Sequence, residues 1–488
     1  MYLKRFFLLL VFGFSLTVLK AQNINFFEGT MEEAKAEARK QHKLIYVFME
    51  MGTDKPRLSS AQNDPQLVSL YNSNFICIHK NNVKKEGFQQ LYYYYDVKKY
   101  PTHLFLDEMG GLVLKTMGSR SNKEPYITDI NKAKLLAKQM TLTKFKAEYD
   151  KGERGLAFLK DYLSKYNELD IPVNQLVLEE YVNQLPVKAM DDYQTVLFIM
   201  ELGPVVSTKA YNASRMNSKI RDSIYKTLPL DRRKKMNNRI IKYTLSQAVR
   251  KKDERLAGLA ANFASGSWGN DWQKSNSSRS ENMMEYYKAV RDTANYLRYA
   301  AEYYQTYYMS QRDSIQKPEA ISETLAKRRN LDSIKKDSVK GNMRIVRTFT
   351  TRRISDLSDE KMNPITQKHL KAAEFAMTLN NGAYAFYTMN STNPVHLGKA
   401  VVWVQRSIEL FPDRSAYYDT LSHLYYRQGK YDEAIAVQQK AIDVQKEFVE
   451  KKAKMLANTS LRSSLNENDA KMLERLTDAL NKMKSKTL

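Results

Sequence analysis

The chain has 488 residues, 43% apolar and 27% charged, which excludes a disordered polypeptide and exceeds one compact core, so roughly two to four domains are expected. Its formal charge is +24, and its single cysteine, Cys77, excludes any internal disulfide. Gly and Pro are scarce, at 17 and 12, and this points to a largely helical polypeptide.

Residues 1–21 read as a secretory signal peptide. Lys4 and Arg5 give a positive start, FFLLLVFGFSLTVL an apolar stretch, and Ala21 a small residue at the expected cut. An uncleaved anchor is the alternative, but the apolar run falls short of the roughly 20 residues a bilayer span needs. Leu19 is large for its place before the cut, which leaves the cleavage position open. No cysteine lies near it, so a lipid anchor is not expected. Export to the periplasm is the leading location, with outer-membrane association as a second. Cleavage removes Lys4, Arg5 and Lys20 from the +24 total, leaving +21. That charge can serve solubility over many helix faces, or attraction to an anionic envelope surface. Nucleic acid is not expected as a partner of an exported chain.

Residues 22–140 form the first domain. Thr30 and Glu33 have the spacing of a capping box before the helix MEEAKAEARKQ. KLIYVFM reads as a buried strand. The loop EMGTDKPRL follows, then a polar helix, SSAQNDPQLVSLYNS, that Pro65 should interrupt. NFICIHK is a second apolar strand and KKEGFQQLYYYYDV a helix. YPTHLFLD and GGLVLKTMG are two strands joined by a Gly-containing hairpin. The sum is an α/β sandwich.

Ala34, Ala38, Lys43, the strand LIYVFM and the stretch YDVKKYPTHLFLDEMGG together resemble an exported thioredoxin-like domain, over about a quarter of the chain. The resemblance implies a cis peptide at Pro101, facing a redox loop. It places the redox cysteine pair at Asp54 and Arg57, with Lys55 and Pro56 between. A carboxylate and a guanidinium cannot perform thiol exchange, which needs an attacking thiolate and a resolving thiol. Cys77 lies mid-strand and reads as a small core hydrophobe. The domain is therefore expected to be redox-dead. Two roles for the loop stay open. Asp54, Lys55, Pro56, Arg57 and Pro101 can contact an extended peptide, or the loop merely closes the fold with its charges solvated or paired. His103 reads as a strand-face residue.

Residues 141–365 carry helical periodicity and read as an α-helical array. FKAEYDKGERGLAFLKDYLSKYNE is a helix pair around a Gly turn. QTVLFIMEL, RIIKYTLSQAVRK, RLAGLAANFA and NMMEYYKAVRDTANYLRYAAEYYQTYYM are further helix-length pieces, whose aromatic spacing means helix packing. Trp268 and Trp272 sit in a polar interruption extended by QKSNSSRS; they either form a binding lip or tuck back. Residues 311–353 read as a long exposed helix or a charged insertion. Asp-Ser/Thr-apolar triplets at Asp222, Asp292, Asp313, Asp332 and Asp337 resemble the O-glycosylation sequence of exported Bacteroidota proteins.

Residues 366–455 contain an internal repeat. Ala400, Ser407 and Pro412 precede Ala434, Ala441 and Lys446 by 34 residues. Tyr418, Leu421, Ser422, Tyr425, Gly429, Tyr431, Ala434 and Ala441 resemble a tetratricopeptide repeat. Lys446 replaces the usual Pro, so that helix is expected to run on. Such repeats stack into grooves for peptides, with Tyr384, Tyr418 and Tyr425 as groove candidates; capping the array is the plainer role. Residues 456–488 form a helical tail.

No catalytic or metal-binding motif stands out, and the six histidines are scattered. No cofactor is expected. The leading function is non-catalytic protein or peptide binding in the cell envelope. The alternative is a thiol–disulfide oxidoreductase or redox-homeostasis protein.

Overall fold

The computed structural model describes residues 23–52, 55–81, 87–317, 364–456 and 466–488. The signal stretch, Asp54, the triplets at Asp332 and Asp337 and most of the charged segment lie outside the described residues. The chain divides between Gln247 and Ala248 into two compact units.

The first unit opens with α1 (Met31–Gln41). Its start is fixed by the expected box: Thr30 Oγ1 accepts the Glu33 amide and the Glu33 carboxylate accepts the Thr30 amide at 2.8 Å. These bonds satisfy two donors that have no intrahelical partner. Strand β1 (Leu44–Glu50) is apolar on both faces because it runs through the centre of a four-stranded sheet, ordered β2-β1-β3-β4. β2 (Phe75–Asn81) lies parallel to it, and β3 (Thr102–Leu106) antiparallel on its other side. β4 (Leu112–Met117) closes the sheet by a hairpin in which the Asp107 carboxylate accepts the Met109 and Gly111 amides.

The helical stretch breaks at Pro65 as expected, because the proline starts a new helix. A 3-10 turn covers Ser60–Asn63, and Pro65 is the first residue of α2 (Pro65–Asn74), capped by Asp64. Proline suits that position because the N–H it lacks would have no intrahelical acceptor. α3 (Phe88–Tyr94) precedes β3, and α4 (Glu124–Lys138), which is not among the elements expected above, follows β4. Tyr126, Ile130 and Ala133 of α4 pack with Tyr46, Phe48, Leu67, Tyr71, Phe75, Cys77 and Phe105 in one core. A small mixed sheet with this order, followed by many helices, is compatible with the thioredoxin-like expectation.

The helical array begins with α5 (Leu142–Asp150) and α6 (Leu156–Leu169), joined by the expected turn at Gly152. α7 (Gln175–Gln184), α8 (Tyr193–Glu201), α9 (Lys209–Ala213), α10 (Ser218–Thr227) and α11 (Leu230–Lys251) follow.

The second unit contains α12 (Glu254–Gly266), α13 (Trp272–Val290) and α14 (Thr293–Tyr303). QKSNSSRS, expected in a polar interruption, is helical within α13, which Asp271 caps and which Met283, Met284, Tyr286 and Tyr287 anchor. The long aromatic piece splits at Arg291, whose φ of 64° stops α13. The C-terminal segment consists of α15 (Pro364–Thr388), α16 (Pro394–Leu410), α17 (Ser415–Arg427), α18 (Tyr431–Leu456) and α19 (Asn466–Lys484). α15 packs on α16, α17 on α18, and α18 on α19, as successive hairpins. Ala400, Ser407, Ser422, Ala434 and Ala441 are fully buried, and Ser407 and Ser422 bond across to the Ala376 carbonyl of α15 and to Gln438 of α18. α18 runs on through Lys446, as its missing proline implies. Among the described residues no helix is long and apolar enough to cross a membrane.

Candidate functional site

The loop after β1 is organised by Glu50, the last residue of that strand. It is 5% exposed. Its carboxylate accepts His79 Nε2–H at 2.9 Å and the Arg57 backbone amide at 3.0 Å. Arg57 also places Nε 3.5 Å from the same carboxylate and donates from Nη2 to the Met51 carbonyl at 2.6 Å. Burial alone would raise the Glu50 carboxyl; the His79 and Arg57 hydrogen bonds, with the adjacent positive charge, outweigh it and hold the group below its ordinary value. The parallel register of β1 and β2 makes this pairing, setting Phe48 opposite His79. Phe26 and Phe48 then pack around the imidazole, with ring centroids at 5.9 and 6.0 Å.

Arg57, at the position the resemblance gives to the second redox cysteine, is thus tied back to the strand. Asp54 lies outside the described residues. Lys55 is exposed and Pro56 half-buried.

The peptide before Pro101 is cis. Two residues on, His103 is 1% exposed. Its Nε2 lies 3.2 Å from the Gly118 carbonyl and its Nδ1 2.7 Å from the Tyr46 hydroxyl. A carbonyl can only accept, so Nε2 carries the proton and Nδ1 accepts from Tyr46. Burial holds the imidazolium down, to a pKa of about 4, so the ring is neutral near pH 7. Gly118 in turn donates its amide to the Pro101 carbonyl at 2.8 Å. One chain of hydrogen bonds therefore joins the core to Pro101, and His103 is committed to structure.

Cys77 is 1% exposed, and burial pushes its thiol far above the ordinary range. A thiol that stays protonated and covered is no nucleophile. It packs as the small hydrophobe its strand position implies.

A second charged cluster joins the sheet to the array within the same unit. Asp96 accepts from Lys98 at 3.0 Å and from Lys242; Asp170 accepts from Lys98 at 3.0 Å and from Arg239. Lys115 donates to the Tyr95 and Asp170 carbonyls at 2.8 and 2.9 Å, and burial lowers it to about 8. Arg239 also donates to Asn167 at 2.6 Å. A cavity of about 230 Å3 opens beside this cluster, lined by Asn167, Glu201, Arg232, Lys235, Met236 and Arg239. Neither Arg57 nor Pro101 lines it.

The three tyrosines expected to line a groove take different surroundings. Tyr384 on α15 is 36% exposed and lies edge-on to His423 at 6.4 Å. Tyr425 on α17 is half-buried and its hydroxyl accepts from Gln405 at 3.3 Å. Tyr418 packs instead against Ile442, Leu476 and Leu480, towards α18 and α19. Behind these, Gln438 Nε2 donates to Asp419 Oδ1 at 3.0 Å and to the Leu476 carbonyl at 2.9 Å, while Ser422 Oγ lies 2.5 Å from Gln438 Oε1. This buried polar network ties α17, α18 and α19 together.

Glu50, His79 and Gln438 escape sequence reasoning. The available signal for Glu50 is an acid closing an otherwise apolar strand. His79 needs the strand register, which the sequence does not state. In comparisons with known proteins, no family model matches the chain and no curated protein matches it.

Proposed function

We propose that this chain is an exported, non-catalytic binding protein of the cell envelope, with a thioredoxin-like N-terminal domain and tetratricopeptide-like hairpins at its C-terminal end. The observation that carries the proposal is the state of the chemistry a redox enzyme would need. Arg57 holds the second redox position and is bonded to Glu50, and the chain's single sulfhydryl is covered inside β2. Electron transfer through paired thiols then has no carrier in this chain, and surface contact is the function left to the fold. The hairpins favour the same reading. Their crossings are lined by buried small residues, as stacked peptide-binding arrays require. Tyr384 and Tyr425 supply accessible aromatic surface of the kind that anchors peptides.

The test uses the whole protein. A photocrosslinking phenylalanine analogue at position 384 or 425, irradiated in an envelope extract, should yield discrete polypeptide adducts. The same analogue at exposed Leu176 on α7 serves as the control. Equal labelling at all three positions, or none at 384 and 425, would remove the hairpins as the binding surface.

A further inference from the structure

Two of the chain's three tryptophans occupy one short turn. α12 ends at Gly266 and α13 begins at Trp272, with residues 267–271 between them. Trp268 is 47% exposed and Trp272 is 72% exposed, whereas Trp403 is fully buried. Scattered apolar side chains on a surface need no explanation, but two large indoles at the tip of one hairpin do. Indole is amphipathic, and its preferred place is the boundary between hydrocarbon and water.

Several polar groups of the turn bond within the protein. Asp271 accepts the Lys274 amide at 3.1 Å and pairs with Lys274 Nζ at 2.8 Å. Ser265 and Ser275 bond each other at 2.6 Å, and Ser267 Oγ donates to the Phe263 carbonyl at 3.0 Å. What faces solvent here is indole, with the Asn270 and Gln273 amides and the Lys274 ammonium, the last 5.5 Å from the Trp268 ring. Over the whole of α12, the turn and α13 acids and bases balance, but at the tip, from Ser267 to Ser280, Lys274 and Arg279 stand against one acid, Asp271. Lys274 and Arg279 are both exposed on the first turns of α13.

We propose that the Trp268–Trp272 turn is an anchor for an anionic phospholipid surface. The two indoles enter the headgroup–acyl boundary, and Lys274 and Arg279 meet the lipid phosphates. Apolar burial and electrostatic attraction act together, as they do for interfacial helices. This inference does not depend on the peptide-binding reading.

The protein carries its own probe, because the third tryptophan is buried. Vesicles of phosphatidylglycerol in phosphatidylcholine should move the emission of the full chain to shorter wavelength and protect it from acrylamide, in step with cosedimentation. Pure phosphatidylcholine should do so weakly. Trp268→Ser with Trp272→Ser should bind the anionic vesicles at least about tenfold more weakly, and Lys274→Gln should lower binding at low salt. Circular dichroism and the remaining Trp403 emission report that the variants are folded. Unmoved emission, or equal binding by the double variant, would overturn the proposal. So would the same spectral shift with a soluble chitooligosaccharide in place of vesicles, which would make the turn a sugar platform.

Discussion

Arg57 engages Glu50 twice, through its backbone amide at 3.0 Å and its Nε at 3.5 Å. The two contacts differ in worth. The amide bond is set by the path of the loop, while the guanidinium belongs to a side chain that is 59% exposed and screened by water. Glu50→Ala strands the His79 Nε2–H and the Arg57 amide and should cost about 2–3 kcal/mol. Arg57→Ala keeps the amide and should cost less than about 1 kcal/mol. Urea unfolding of the two variants checks this order.

His103 supplies a pH dependence. Its folded pKa of about 4 lies below the ordinary 6.5, so the unfolded chain binds the proton more readily. Its contribution is fully present above about pH 6.5 and is lost progressively as pH falls towards 4. The loss amounts to about 3 kcal/mol at the acid end. His103→Gln should flatten the stability profile between those limits, measured by urea midpoints at matched pH values. An equally steep profile in the variant would assign the acid sensitivity to other groups.

Gln438 holds α19 through the Leu476 carbonyl and α17 through Asp419. Gln438→Leu leaves both acceptors buried without this donor and should cost about 2–4 kcal/mol. Gln439→Leu, on the exposed side of the same helix, should change stability by less than about 0.5 kcal/mol. Hydrogen exchange resolves the effect, since Gln438→Leu should release residues 466–484 first.

The strands and α1 are legible because apolar runs and a capping box are local signals. α4 carries a local signal too, with Tyr126, Ile130 and Ala133 at i, i+4 and i+7 behind Pro125, although the strand-by-strand reading passes over it. Pro65 is ambiguous in sequence, as the same residue breaks a helix interior and begins a helix. The polar run after Trp272 is helical because Asp271 caps it and buried residues further along anchor it. Glu50 and His79 are 29 residues apart, and their bond exists only through the parallel register of two strands. The loop that carries Arg57 could be placed from sequence; the carboxylate that holds it could not.

Reduction of insulin by dithiothreitol, followed by turbidity with the purified full chain, tests the central claim most directly. The account predicts the uncatalysed rate, with Cys77 unreactive towards a thiol reagent until urea unfolds the protein. A rate above background that Cys77→Ser abolishes would contradict it, because a covered sulfhydryl would then be turning over disulfides.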